Sequence, residues 1–259
     1  MNLPLALFFD IDGTLLDSKT HTVPESTIQV LNTLAERGYA ICIASGRSAF
    51  MVKDLNLDGL VPWKYIICGN GHVTMDEHFE VIRQLFVPPE TVRAFVERAD
   101  LYGIAVSLDG PDGAMLTKQP DEYVITAHSY YHEYIPEFKA YEGERIDKII
   151  VFEKEGFDWS IFDDLSELEI KPTMTTAADV MLTGVSKHSA ILDVLKTNNY
   201  PDYYIAFGDS MNDYEMLNHA PISVAMGNAV DEIKKIAHYI TDDVDQDGIA
   251  KMLKQLGYL

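Results

Sequence analysis

The sequence predicts an α/β protein in which a core with a parallel sheet is interrupted by an inserted α+β unit. Short apolar runs alternate with helical patterns near both ends of the chain, and such runs are typical of parallel strands covered on both faces. The pattern changes to short strands mixed with helices near residue 88 and changes back near residue 187. Because neither end has enough strands for a covered sheet, we predict a discontinuous core of residues 1–83 and 184–259 around an insertion of residues 84–183.

The N-terminal part alternates strand and helix. Apolar Ile28, Leu31 and Leu34 recur at helical spacing, with Pro24 suited to the start of that helix and Gly38 to its end. A hairpin is expected to turn at 76–78, after the third strand. The predicted elements are strand 5–9, helix 24–37, strand 39–45, short helix 48–56 and strand 64–68.

The insertion and the C-terminal part have different rhythms. Apolar residues at helical spacing predict a helix over 92–99, followed by short strands in IAVSLDG, AMLTK, KIIVFEK, LEIKPTM and DVMLTG, and by helical stretches near 121–131 and 157–166. From Lys187 the α/β alternation returns. Its predicted elements are helix 187–199, strand 204–208, helix 212–219, strand 223–226, helix 229–238 and a last helix near 247–256.

Composition excludes several classes of function. The formal net charge is −21, with no basic stripe, so the surface repels nucleic-acid phosphates and anionic lipid, and we expect no nucleic-acid or membrane partner. The two cysteines, Cys42 and Cys68, lie in apolar runs without metal-ligand spacing, which predicts buried thiols. The apolar run at 3–9 is too short for a signal peptide or a membrane span, so we expect a cytoplasmic protein.

Two aspartates at the end of the first strand are the strongest candidates for catalysis. In FFDIDGTL, Asp10 and Asp12 are two residues apart, and the geometry of a strand starts both on the same side. Ligands of open parallel sheets bind at the carboxyl ends of strands, where two close carboxylates can act as nucleophile and proton carrier. The alternatives are a capped Asp-Gly turn and a calcium loop. The calcium pattern fails because Gly13 comes too early and His21 occupies the position of its terminal Glu.

A second acidic segment, DVDQDG at 243–248, matches the first half of a calcium loop. Lys254 occupies the position where that loop requires Glu. We therefore interpret the segment as an acidic turn that begins the last helix.

Three further strand or helix ends carry polar residues. Ser45 and Gly46 follow the second strand, where a hydroxyl and backbone N–H groups can hold phosphate oxygens. Lys187 opens a helix, and since a helix N-terminus favours negative charge, a cation there suggests an anionic partner. Asp209, Asn212 and Asp213 follow the strand at 204–208 and offer the hard oxygen ligands that Mg²⁺ prefers. Each of these residues has a simpler explanation when it is considered alone. Ser45 and Asp209 could be helix caps, and Lys187 could be a solvated lysine.

Together these places resemble the haloacid dehalogenase superfamily, and within it the Cof-type sugar-phosphatase branch with a C2-type cap. The resemblance rests on four motifs in the same order: FFDIDGTL, Ser45, Lys187 and GDSMND at 208–213. It extends to Asn-Gly at 70–71, VAMGNA at 224–229 and DGIA at 247–250. The resemblance implies a Rossmann-like core with the insertion as its cap.

The resemblance also implies a reaction. Asp10 is expected to attack phosphorus and form an aspartyl-phosphate, while Asp12 acts as general acid and then as general base. The implied cofactor is Mg²⁺, held by Asp10, the Asp12 carbonyl, Asp209 and Asp213, directly or through water for the last. The phosphoryl group is expected to bind to Ser45, Gly46, Lys187 and Asn212. The implied partner is a small phosphorylated metabolite, commonly a sugar phosphate, and the cap would read its leaving group.

Two other readings stay open at this level. A phosphotransferase or phosphomutase would use the same motifs and pass the phosphoryl group to a hydroxyl instead of water. A signalling receiver would keep a long-lived phosphoaspartate, although Asp12 and the large insertion speak against that class.

Overall fold

The computed structural model describes residues 5–17, 19–173 and 175–259. The chain folds as two compact units, one formed by Met1–Arg83 with Ser186–Leu259 and the other by Gln84–Val185. We call them the core unit and the inserted unit. Whether the inserted unit works as a cap is a question of function and stays a prediction.

The core unit is built on a sheet with eight strands among the described residues. Their order is β13-β12-β11-β1-β2-β3-β4-β5, and the pairings from β13 to β3 are parallel. The strands are β1 (Ala6–Phe9), β2 (Ala40–Ala44), β3 (Trp63–Cys68), β4 (Val73–Met75), β5 (Val81–Gln84), β11 (Tyr204–Gly208), β12 (Ile222–Ala225) and β13 (Tyr239–Ile240).

Helices cover both faces of this sheet, as the buried apolar strands require. On one face, Leu31 and Leu34 of α1 and Leu253 of α8 are buried against the strand residues Leu7 and Phe9. Helices α5 to α7 cover the other face. The helices are α1 (Glu25–Glu36), α2 (Ala49–Asp54), α5 (Lys187–Thr197), α6 (Tyr214–His219), α7 (Asp231–Ile236) and α8 (Gly248–Gln255).

The inserted unit is an α+β structure around a five-stranded antiparallel sheet, counted over its described residues, with the order β7-β6-β8-β10-β9. Phe95 of α3 is buried on one face of that sheet, and Val124 of α4 is buried on the other. The elements are α3 (Pro89–Tyr102), β6 (Ala105–Gly110), β7 (Gly113–Leu116), α4 (Glu122–Tyr131), β8 (Lys148–Phe152), β9 (Leu168–Pro172) and β10 (Ala177–Leu182).

Most predicted elements are present, and the α/β class is confirmed, but three details differ. The helix predicted at 157–166 is only a 3₁₀ turn, Trp159–Phe162, because acidic residues follow at 163–164, where a helix C-terminus disfavours negative charge. The helix predicted at 212–219 begins as a 3₁₀ turn, Met211–Asp213. The two-residue strand β13 was missed because so short a segment shows no periodicity. Met174, at the end of LEIKPTM, lies outside the described residues.

None of the described helices combines the length and apolar composition needed to cross a membrane.

Candidate active site

The sheet order brings the two main aspartate motifs to neighbouring strand ends. Asp10 follows β1, and Asp209 follows β11, which pairs with β1 in parallel so that Phe9 lies opposite Phe207. The Asp10 amide donates to the Phe207 carbonyl at 3.1 Å, which extends the pairing to the strand exit. The strand order reverses here, since β2 follows β1 on one side and β12 follows β11 on the other. Such a reversal opens a crevice at the carboxyl ends of the strands.

Three carboxylates converge in this crevice. Asp10, Asp209 and Asp213 each place one carboxylate oxygen within 4.8 Å of the others. Among the described residues, no other group of three Asp, Glu, His or Cys side chains has its ligand atoms this close together. All three residues are buried. Asp213 is fixed by backbone donors, because its Oδ2 accepts from the Asp209 amide at 2.9 Å and the Ser210 amide at 3.1 Å. Carboxylates held this way are preorganised for a cation.

Lys187 connects Asp10, the candidate nucleophile, to Asp213 of the GDSMND segment. Its Nζ lies 2.7 Å from Asp10 Oδ1 and 2.7 Å from Asp213 Oδ1, and its side chain is fully buried. Ser186 caps the helix that Lys187 opens, accepting from the Ser189 amide. The cation expected to be unfavourable at a helix start thus has two anionic partners, which accounts for its position.

Burial dominates the electrostatics of the group. Burial raises the pKa of Asp10 to about 7, Asp213 adds in the same direction, and Lys187 opposes both. Burial also raises the pKa of Asp209 well above its ordinary value, again helped by Asp10 and Asp213. Burial alone would lower the pKa of Lys187, but the charges of Asp10 and Asp213 outweigh it and hold that pKa above its usual value. The lysine is therefore a permanent cation.

The charge of the group fits a divalent metal ion. With all three carboxylates ionised, they and the one ammonium sum to −3 + 1 = −2, and the raised pKa values of Asp10 and Asp209 reflect the cost of burying this negative charge without compensation. A divalent ion would cancel it, and three carboxylate oxygens form a hard donor set of the kind that Mg²⁺ binds.

Asp12 is not a member of this group. Its carboxylate makes a two-pronged pair with Arg47, whose Nε donates to Oδ2 at 2.7 Å and whose Nη2 donates to Oδ1 at 2.8 Å. The Asp12 side chain is 33% exposed, far more than that of Asp10 at 5%. A more exposed carboxylate at the rim is available to exchange protons with a bound ligand and water. Its expected metal contact through the backbone carbonyl stays a prediction.

Apart from Lys187, which opens α5, the predicted phosphate-binding residues lie in the two connections that follow β2 and β11. Ser45 is buried, and its hydroxyl accepts from the Arg47 amide at 3.1 Å, so it shapes the loop after β2. Asn212 donates from Nδ2 to Asn70 Oδ1 at 3.2 Å and accepts from the Ser210 hydroxyl at 2.7 Å. A Cβ on Gly46 would lie 2.9 Å from Asn212 Nδ2. Glycine thus permits the close approach of the two loops.

Four residues at the site were not singled out from the sequence. Thr14 donates to Asp209 Oδ1 at 2.9 Å, and Asn228 donates to the Gly13 carbonyl at 2.8 Å. The others are Arg47 and Asn70. Thr14, Asn70 and Asn228 lie inside segments already noted, and Arg47 directly follows Ser45 and Gly46, which is the signal that could have found them. What was missing is the direction of each side chain, which the sequence does not give.

The backbone conformation at position 13 explains why the first motif needs glycine there. Its φ of +77° is a left-handed conformation, and a Cβ at this position would collide with the Asp209 carboxylate. The turn after Asp12 can therefore pass close to the second aspartate motif only without a side chain.

Comparison with known proteins gives a consistent result. The family model of haloacid dehalogenase-like hydrolases matches residues 7–253. The chain is 34% identical over 259 residues to "Putative phosphatase YkrA" of Bacillus subtilis (strain 168), covering 98% of both chains. BT1666 of Bacteroides thetaiotaomicron, a phosphatase of the HAD superfamily, superposes with a TM-score of 0.90 at 28% identity over 99% of this chain and 96% of that one. The HAD subclass IIB sugar phosphatase BT4131 gives 0.87 at 30% identity, over 98% and 100%.

Proposed function

Because the chain belongs to the haloacid dehalogenase-like hydrolase family, we propose that it is a Mg²⁺-dependent phosphatase that hydrolyses small phosphate monoesters through an aspartyl-phosphate on Asp10. Its relatives named as phosphatases identify it as a phosphoric monoester hydrolase. The observation that carries the mechanism is the buried group at the β1 exit. In this group Lys187 lies 2.7 Å from Asp10, and Asp209 and Asp213 of the GDSMND segment complete the cluster.

In the first half-reaction an Asp10 carboxylate oxygen attacks the phosphorus of the ester. A bond forms between Asp10 and phosphorus, and the bond from phosphorus to the leaving oxygen breaks. Asp12 donates a proton to that oxygen, so the alcohol leaves neutral. The rim position of Asp12 suits proton exchange, whereas Asp10 is buried and held by Lys187.

In the second half-reaction water attacks the phosphorus of the aspartyl-phosphate. Asp12 accepts the proton of that water, and the bond between phosphorus and Asp10 breaks with its electron pair returning to the carboxylate. Inorganic phosphate leaves, and the enzyme returns to its starting state. The net reaction is ester plus water to alcohol plus phosphate, so the atoms and charges balance.

Ser45, the backbone at Gly46, Lys187 and Asn212 would bind the transferring phosphoryl group. Lys187 contributes a fixed positive charge, since two buried carboxylates keep it protonated. Donors that are already in place at the site lower the reorganisation needed when charge develops on the phosphoryl oxygens. Their hydrogen bonds to neighbouring loops, such as that from Asn212 to Asn70 at 3.2 Å, support this positioning role.

Asp10, Asp209 and Asp213, with the Asp12 carbonyl, would hold the metal ion. When bound, Mg²⁺ would neutralise the negative charge that keeps a carboxylate nucleophile and a phosphate apart. The −2 charge that this group carries when all three aspartates are ionised supports a divalent ion in this place.

For the substrate we propose a small phosphorylated metabolite, in particular a sugar phosphate. The sugar phosphatase BT4131, similar over almost the whole chain, supports this class. The inserted unit would then contact the leaving group and determine substrate specificity. The acidic chain, with a net charge of −21, makes long polyanions such as nucleic acids poor partners.

A panel of sugar and nucleotide monoesters, assayed with Mg²⁺ and after chelation, tests the proposal. We expect phosphate release that requires Mg²⁺ and is lost in Asp10→Asn, with a ³²P-labelled acid-stable aspartyl-phosphate trapped only in the wild type. Asp202→Asn, an exposed aspartate of the same unit, is the matched control and should keep full activity. Equal turnover by a folded Asp10→Asn would rule out the mechanism.

A further inference from the structure

We propose that Arg47 is a positioning residue that orients the Asp12 carboxylate for hydrolysis of the phosphoenzyme. The inference rests on the proposed function, because it assigns a task to Asp12. Arg47 donates to both oxygens of Asp12, at 2.7 and 2.8 Å, across two loops that follow different strands. Paired parallel hydrogen bonds between a guanidinium and a carboxylate fix the plane of the carboxylate as well as its distance.

The arginine is the anchor of this pair and the aspartate is the group held. The Arg47 side chain is 8% exposed and that of Asp12 33%. The backbone of Arg47 is fixed on both sides, because its amide donates to the Ser45 hydroxyl at 3.1 Å and its carbonyl accepts from the Gly69 amide at 2.8 Å. The guanidinium therefore has a defined position from which it can orient a mobile carboxylate.

Orientation explains this pair better than stability does. Because the Asp12 side chain is 33% exposed, water still stabilises its charge when the guanidinium is absent, so the pair contributes modestly to folding. Its geometry, by contrast, fixes the oxygens that must meet a water molecule beside the phosphorus. Loss of Arg47 should thus slow the breakdown of the aspartyl-phosphate more than its formation.

A substrate with a good leaving group separates the two steps. With p-nitrophenyl phosphate the leaving oxygen needs little help from an acid, so formation of the phosphoenzyme depends weakly on Asp12. In Arg47→Met with saturating Mg²⁺, we expect a burst of nitrophenolate close to the enzyme concentration, followed by turnover about 100-fold slower than the wild type. KM falls or stays the same, and acid quench traps more aspartyl-phosphate. Arg47→Lys, which keeps the charge but only one prong, should lie between Met and wild type.

Arg98→Met is the matched control, because Arg98 also makes a two-pronged pair, in which its Nη1 and Nη2 donate to Asp164 of the inserted unit at 2.7 Å for both bonds. It should change neither the burst nor the turnover.

Two results would overturn the role of Arg47. One is a raised KM with unchanged kcat, which would make Arg47 a substrate-binding residue. The other is slower turnover without any burst or trapped phosphoenzyme. If Arg47→Met does not fold, Arg47→Lys decides, and wild-type kinetics in that variant would reject the proposal. Failure of the proposed function is distinct: the wild-type protein would then form no trappable Asp10 phosphoenzyme at all.

Discussion

Two acidic clusters of the core unit differ in almost every respect except composition. Asp10, Asp209 and Asp213 come from two strand exits, are buried, and surround Lys187. Asp243, Asp245 and Asp247 come from one turn and are exposed, with Asp245 paired to Lys19 at 3.2 Å and Asp247 accepting from Ser26. We call these the buried cluster and the surface turn.

The difference shows what turns acidic residues into a site. Water stabilises the charges of the surface turn, so they need no further partner. The buried cluster has lost that water, and a cation has to replace it. The interpretation of DVDQDG as a turn before the last helix agrees with Asp247 preceding α8, although no side-chain cap is formed.

The largest expected effect comes from removing a charge of the buried cluster. Asp209→Asn keeps an acceptor for Thr14 but loses one negative charge of the proposed metal site. We expect kcat/KM to fall about 1,000-fold, since a metal ion supplies several kcal/mol of charge stabilisation. Magnesium titrations of activity should show a higher half-saturating concentration. A wild-type magnesium profile would place the metal elsewhere.

Removing the buried cation should affect stability. Lys187→Met leaves Asp10 and Asp213 buried without it, which we expect to lower the unfolding free energy of the metal-free protein by about 3–5 kcal/mol. The loss should shrink at acidic pH, because protonation of Asp10, whose pKa is raised to about 7, removes the repulsion between the two carboxylates. Urea unfolding at pH 5 and pH 8 measures both.

Lys251→Met is the control on the exposed side, because Lys251 pairs with Asp242 near the surface turn and both side chains are more than half exposed. We expect no measurable change in the unfolding free energy of Lys251→Met. Equal losses in the two variants would show that burial does not distinguish the clusters.

One of the buried carboxylates of the inserted unit, Asp147, sharpens the comparison. Asp147 accepts from the neutral amide of Gln84 at 2.6 Å, and burial raises its pKa from 3.8 to about 6. The folded state thus holds this proton more tightly than the unfolded state. Its stabilising effect is complete below pH 3.8 and is lost as the pH rises through 6.

Asp147→Asn removes the charge and should keep the hydrogen bond. We expect the variant to be more stable than the wild type at pH 8, by up to about 3 kcal/mol, and to lose the matching pH dependence between pH 4 and 7. Thermal unfolding across that range measures the difference. If the stability of the wild type and of Asp147→Asn changed with pH in the same way, the raised pKa of Asp147 would be contradicted.

The smallest effect is expected at the surface turn. Asp243→Asn with Asp245→Asn changes exposed charges that water already stabilises, so activity and its magnesium dependence should stay at the wild-type level. Calcium should not shift the melting temperature of either protein, because Lys254 occupies the position of the closing Glu. A calcium-dependent shift lost in the double variant would revive the calcium-loop reading.

Local patterns determined much of this protein. Apolar runs fixed the positions of β1, β2, β3 and β11, and the polar residues after them followed from one rule, that ligands meet the carboxyl ends of parallel strands. These signals depend on neighbours in the sequence, so the sequence alone shows them. The same holds for the helix of α1, which ends just before Gly38.

Only the tertiary structure decided which of those residues touch. It placed Lys187 between Asp10 and Asp213, joined Asp12 to Arg47, and brought Asn70 to Asn212. Such contacts depend on strand order, on side-chain direction and on the water that folding excludes, none of which is encoded at one position. The sequence thus provides the chemical groups, and long-range packing decides which of them are buried together and must share charge.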